Sequence, residues 1–222
     1  MLPLSRILER LAQVYGEPAP PPSRTLLELV LFENVAYLVD DEHRSLAFRD
    51  LQAQVGLRPE QILAASEEAL VAAAGQGILA QNQAAKLREI ARRAVVEFDG
   101  NLESIRGLPV VQAKKALTRF PSIGEPGAEK ILLLARSHAV LGLDSNGVRV
   151  LTRLGMVQEA KTYAATYRAV QAAVSPYAGE GFDWLIRAHQ LLRQHGQQLC
   201  RRNQPRCDRC PLSDACAFYA AG

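Results

Sequence analysis

No stretch of this sequence approaches the ~20 apolar residues that a membrane-spanning helix needs, although 48% of its 222 residues are hydrophobic. The N-terminal stretch from Met1 to Gly16 also lacks the uninterrupted apolar core of a secretion signal, because Arg6, Glu9 and Arg10 break it up. A soluble, cytoplasmic protein with no membrane partner is expected. Runs of β-branched residues are scarce, whereas Leu, Ala, Gln, Glu and Arg dominate and apolar positions recur at helical spacing. The predicted fold class is all-α. No internal period points to a solenoid. A large charge excess is missing too: the formal net charge is +3 and the isoelectric point about 8.7. That balance permits a nucleic-acid partner without demanding one, since a local basic face matters more than the total. Cysteine is absent from the first 199 residues, and all four cysteines fall within the last 23.

The chain reads as a succession of helices separated by Gly and Pro. A first helix is predicted from Leu4 to Tyr15, ended by Gly16 and the Pro18 to Pro22 stretch. Ser23 is the expected N-cap of a second helix running from Thr25 to about Val39. Breaks at Gly56 to Pro59, Gly75 and Gly77 divide the following segment into short helices, and short loops imply a compact bundle. One long helix is expected from Asp183 toward Cys200.

Cys200, Cys207, Cys210 and Cys216 are spaced C-x6-C-x2-C-x5-C, with none left over. Four thiolates this close in sequence suit one metal centre, and the turn Cys207 to Cys210 supplies a chelating pair. Paired disulfides are disfavoured in an intracellular protein. A zinc ribbon usually has two C-x2-C knuckles where this sequence has one, but spacing alone leaves both a zinc site and an iron–sulfur cluster open. The whole segment from Cys200 to Cys216 closely resembles the cluster loop of the endonuclease III and adenine DNA glycosylase superfamily. That resemblance implies a [4Fe-4S] cluster that frames the loop without doing chemistry. Arg201, Arg202, Arg206 and Arg209 within the loop are then candidate grips for DNA phosphates.

Upstream, Ala113 to Leu117 and Gly127 to Leu134 are predicted helices joined by the turn Phe120-Pro121-Ser122-Ile123-Gly124. A turn of this kind presents backbone N–H groups at a helix N-terminus, where they bind phosphate without reading sequence. The stretch from Leu108 to Arg153 resembles the superfamily's helix-hairpin-helix, which assigns DNA contacts to Pro121, Ser122, Ile123, Gly124 and Gly127. Further on, Asp144-Ser145-Asn146, followed by Arg149-Val150-Leu151-Thr152-Arg153, is similar to the adenine-glycosylase form of the catalytic segment. Asp144 takes the place of the catalytic aspartate, with Asn146 as a supporting polar group. A fixed carboxylate there stabilises the positive charge that develops on the sugar as an N-glycosidic bond breaks. By residue type alone, without the resemblance, Asp144 reads more readily as a helix N-cap, and the two roles are compatible. Glu28, in Leu27-Glu28-Leu29-Val30-Leu31, matches the glutamate that protonates the departing base in adenine glycosylases.

Several positions depart from the family pattern. Pro126 stands where bifunctional members carry the lysine of their lyase step, so a monofunctional hydrolase is expected. Lys130, one turn on, is the conceivable substitute nucleophile. Ser122 replaces the first hairpin glycine, Glu125 adds negative charge near the phosphate position, and Phe32-Glu33 occupy the register of glutamines that fill the gap left by a flipped base. The resulting expectation is a monomeric DNA-repair N-glycosylase acting on double-stranded DNA that contains a damaged or mismatched base. The alternatives are a glycosylase with abasic-site lyase activity and a DNA-binding protein without catalysis. Two helical domains are predicted, residues 24–138 and residues 1–23 with 139–222, with the site in a cleft between them.

Overall fold

A computed structural model describes residues 2–222, and among these every regular element is helical. In chain order the helices are α1 (Leu4–Tyr15), α2 (Leu26–Asn34), α3 (Asp41–Gln54), α4 (Pro59–Ala64), α5 (Glu67–Ala73), α6 (Ala80–Phe98), α7 (Val110–Leu117), α8 (Glu125–Leu134), α9 (Ser145–Arg153), α10 (Tyr163–Val174), α11 (Phe182–Gln198) and α12 (Ala217–Ala220). The all-α expectation holds. Among the described residues no helix is long and apolar enough to cross a membrane. The chain divides into two compact units, one spanning Pro21–His138, the other joining the residues up to Pro20 with Ala139–Gly222.

In the central unit α6 is the spine, with α2, α4 and α5 packed along it through Leu87, Ile90, Ala91 and Ala94. Helix α2 is shorter than predicted. Its N-cap is Thr25, whose hydroxyl accepts the Glu28 N–H, and Ser23 instead donates to the Glu28 carboxylate at 2.6 Å. It ends at Asn34, whose side chain turns back onto the Val30 carbonyl, and the chain then passes through a left-handed residue at Leu38. Helix α8 begins two residues earlier than expected, with Gly124 as N-cap and Pro126 at its second position. Proline is tolerated there because first-turn N–H groups have no partner within the helix. The consecutive residues Ile131 to Leu134 are all buried, so the second half of α8 is enclosed all round, and α8 packs on both α2 and α7 to complete the hairpin.

The other unit is built around α11, against which α1 and α9 both pack. Leu4, Ile7, Leu8 and Leu11 give α1 its buried stripe. Helices α9 and α11 approach so closely that a Cβ on Gly196 would lie 2.6 Å from the Asn146 Cβ and 2.9 Å from the Asn146 carbonyl oxygen. Alanine normally stabilises a helix interior by ~1 kcal/mol over glycine. Here the clash is with backbone, which cannot swing aside, and overpacking of this sort costs about 1–3 kcal/mol. Gly196→Ala is therefore expected to lower stability, read as an earlier midpoint in urea unfolding. A later midpoint would show that the helices are free to separate.

Candidate functional site

Asp144 is the N-cap of α9, and its Oδ1 accepts the Asn146 and Gly147 N–H groups at 3.0 and 2.9 Å. Its Oδ2 accepts the Asn146 side-chain amide at 3.0 Å and is ion-paired with Arg193 of α11. Four donors thus converge on one half-buried carboxylate. Burial opposes its charged form, yet Arg193, His189 and the Gly147 and Asn146 hydrogen bonds outweigh it and bring the pKa down to about 2. The catalytic and N-cap readings of Asp144 are compatible in this geometry. A carboxylate with so low a pKa is a poor base but a persistent negative charge.

From Asp144 a continuous set of hydrogen bonds leads to the cysteine loop. The Asn146 Oδ1 accepts from Arg149, whose guanidinium also donates to the carbonyls of Gly196 and Cys200, both at 2.8 Å. One turn on, Arg153 donates to the carbonyls of Arg201 and Arg202, lies 3.6 Å from the Cys200 sulfur and stacks over Phe218. Arg149 and Arg153 share a face of α9 because they are four residues apart.

All four cysteines are free thiols, and all four line one cavity with Arg153, His195 and Leu212 among its walls. Cys200 follows α11, Cys207 and Cys210 flank a 3-10 turn, and Cys216 caps α12. The Leu212 N–H donates to the Cys210 sulfur at 3.4 Å, and His195 Nε2 lies 3.5 Å from the same sulfur. Burial lowers the His195 pKa to about 4, so the ring is neutral, and its Nδ1 pairs with the Tyr15 hydroxyl at 2.9 Å. Among the described residues no three His, Cys, Asp or Glu side chains are gathered closely enough to hold a single metal ion. Arg201, Arg202, Arg206 and Arg209 are all exposed.

The remaining candidates lie in the central unit. Glu28 is half-buried with its carboxylate on the Ser23 hydroxyl. In the hairpin, Ser122 adopts a left-handed φ of 58°, where the family pattern has glycine, and the Ile123 side chain is buried. The N–H groups of Gly124, Glu125 and Gly127 stand at the open end of α8, while Pro126 contributes none. Lys114 of α7 contacts Glu125 and Glu129, each at 2.8 Å. Lys130 is held 2.5 Å from Glu33, with both side chains largely buried. Arg193 and His189 were not singled out from sequence: they lie 49 and 45 residues beyond Asp144 and carry no local motif.

No protein-family model matches this chain. It is 26% identical over 198 residues to endonuclease III of Sulfolobus acidocaldarius, an alignment covering 88% of this chain and 81% of that protein. Over 125 residues it is 25% identical to the thymine-DNA glycosylase of Aeropyrum pernix, covering 56% of each. Among solved structures it is similar to a trapped endonuclease III–DNA covalent intermediate, with a TM-score of 0.76 over 100% of this chain and 99% of that one at 18% identity. The likeness to the endonuclease III superfamily therefore extends beyond the segments around Glu28, Leu108 to Arg153 and Cys200 to Cys216 to the fold of the whole chain.

The charge on Asp144 is expected to contribute to stability. With a pKa lowered from the usual 3.8 to about 2, the carboxylate favours the folded state fully above about pH 4, and that contribution is lost as pH falls toward 2. Asp144→Asn is expected to cost about 2 kcal/mol at neutral pH. The gap from the wild type should close in acid. A deficit of the same size at every pH would assign the loss to packing instead of charge.

Proposed function

We propose that this protein is a DNA N-glycosylase that flips a damaged or mismatched base out of the duplex and releases it by hydrolysis. The observation that carries this reading is the ionised, rigidly held Asp144 at the head of α9. Breaking an N-glycosidic bond leaves positive charge on the sugar, and a carboxylate that needs no reorganisation stabilises it as it forms. Water supplies the hydroxyl that ends on the sugar, and the base departs with a proton. Glu28 is the proposed proton donor and Asn146 the group that orients Asp144. A flipped nucleotide is required because the bond is shielded within the stack.

DNA contacts are assigned to the α8 end of the hairpin, through the backbone of Pro121, Ser122, Ile123, Gly124 and Gly127, and to Arg201, Arg202, Arg206 and Arg209. These are non-specific phosphate grips, so the base removed is chosen elsewhere. The cysteines are proposed to hold a [4Fe-4S] cluster. Four thiols around one cavity, with N–H donors from Leu212 and Arg153 near two of the sulfurs, fit such a group. When bound, it supplies a covalent frame for the arginine loop. Anaerobically purified protein should be brown and contain four irons per chain, and Cys207→Ser should lower both iron content and DNA affinity. Stoichiometric zinc without iron would reject the cluster.

A second reading, a glycosylase with lyase activity, is favoured by the similarity to a protein trapped as a covalent DNA intermediate. Pro126 has no nucleophile, and the Lys130 ammonium is engaged by Glu33. The two readings separate in one experiment, in which duplexes bearing different damaged or mispaired bases are incubated with protein and then treated with hot alkali or with borohydride. Alkali-revealed abasic sites with little borohydride adduct are expected, and Asp144→Asn should slow base release by orders of magnitude while DNA binding survives. Efficient adduct formation that disappears in Lys130→Ala would establish the lyase. Full activity of Asp144→Asn would mean that the chemistry lies elsewhere.

A further inference from the structure

The C-terminal unit contains another cavity, of about 670 Å3, that the chemistry above leaves unused. Its walls are α9, the loop at 159–161, the first turns of α10 and Arg202 of the cysteine loop. Four cations, Arg149, Arg153, Lys161 and Arg202, and one carboxylate, Glu159, are among its lining residues. Arg149 and Arg153 donate mainly to backbone carbonyls, with Arg153 also 3.6 Å from the Cys200 sulfur. Lys161 and Arg202 are exposed, and among the described residues neither has a carboxylate partner.

Two further features make this a shaped site instead of a basic surface. The loop is pinned by a 2.9 Å bond from the Ala160 N–H to the Thr166 hydroxyl, and the Thr152 hydroxyl in the wall is buried without a hydrogen-bond partner among the described residues. Tyr163, the first residue of α10, is 49% exposed. The cavity falls within the ~300–1,000 Å3 of ligand pockets and is much larger than one phosphate requires. It also adjoins the reacting end of α9, since Ser145 lines it and Tyr163, its pKa raised chiefly by burial, feels the Asp144 charge as well.

We propose that this cavity binds a nucleotide of the DNA strand beside the one processed at Asp144, with its phosphate on Lys161 and Arg202 and its base stacked on Tyr163. The inference rests on the DNA-processing reading given above. Cations and an amide-rich helix start attract the phosphate, and a flat aromatic ring accepts any base without reading it. A free nucleotide has the same chemistry, so the test must separate the two sources.

The experiment measures full-length protein binding to a duplex with a reduced abasic-site analogue across a range of salt concentrations. Lys161→Gln should flatten the salt slope by about one and Lys161→Glu by more, each weakening binding. Tyr163→Ala should weaken it roughly fivefold or more and leave the slope unchanged. Deoxynucleoside monophosphate should compete poorly. Circular dichroism and melting check that each variant is folded, and Lys161, an exposed loop residue, gives an informative variant even if Tyr163→Ala is not. Wild-type affinity and slope in the Lys161 variants would overturn the proposal, as would tighter binding of the monophosphate than of duplex. No duplex binding by the wild type would instead sink the DNA-processing reading itself, and this inference with it.

Discussion

The close contact between α9 and α11 organises the C-terminal unit. Gly196 has no side chain, so the Asn146 backbone rests against it, and the carbonyl of Gly196 becomes reachable by Arg149. Arg149 then ties three segments together through Asn146, Gly196 and Cys200. Arg193 lies one turn before Gly196 on the same face of α11, and the short interhelical distance is what brings its guanidinium onto Asp144. One missing methyl group therefore sets the geometry of the proposed reacting carboxylate and of the arginine that links it to the cysteine loop.

The electrostatics of Asp144 decide what part it would take in the proposed reaction. A buried carboxylate without partners would take up a proton. Here two backbone N–H groups, an amide and a guanidinium hold it ionised. Removing a proton from water requires a base whose pKa lies near the working pH, and a group near 2 is far from that. In the proposed reaction the carboxylate would therefore act through its field, which Arg193 partly cancels. The pair thus trades strength of the field for constancy of charge and position.

How much of this is legible in the sequence depends on how local each feature is. The four cysteines lie within 17 residues, so spacing alone brings them together. The α1 boundaries at Leu4 and Tyr15 follow from a clean apolar stripe and Gly16. The Asp144 N-cap is visible as an acid just before a helical pattern. Ser23 was a false signal: Thr25 competes for the same role two residues later and wins, leaving Ser23 to bond Glu28. The short α2 was missed because its end is set by the Asn34 side chain and a left-handed leucine at position 38, neither of which breaks the apolar pattern. Arg193 and His189 were invisible for the opposite reason, being brought to Asp144 only by the tertiary packing of α11.

The hairpin shows how departures from a family pattern are compensated. Ser122 adopts the left-handed turn without glycine, at a cost of about 1–2 kcal/mol, and a buried Ile123 and α7–α8 packing hold it there. Glu125 brings a carboxylate to a helix start that favours anions, and Lys114 offsets it while also engaging Glu129. Pro126 removes one amide donor. In the proposed DNA complex such a hairpin grips phosphate less tightly than one with glycine, lysine and no acid. That shifts affinity toward the guanidinium groups of the cysteine loop, whose contribution is long-ranged and screened by salt. In the same proposal a cluster on the four cysteines would frame that loop, which would make DNA affinity, and not only stability, a consequence of how the loop is held.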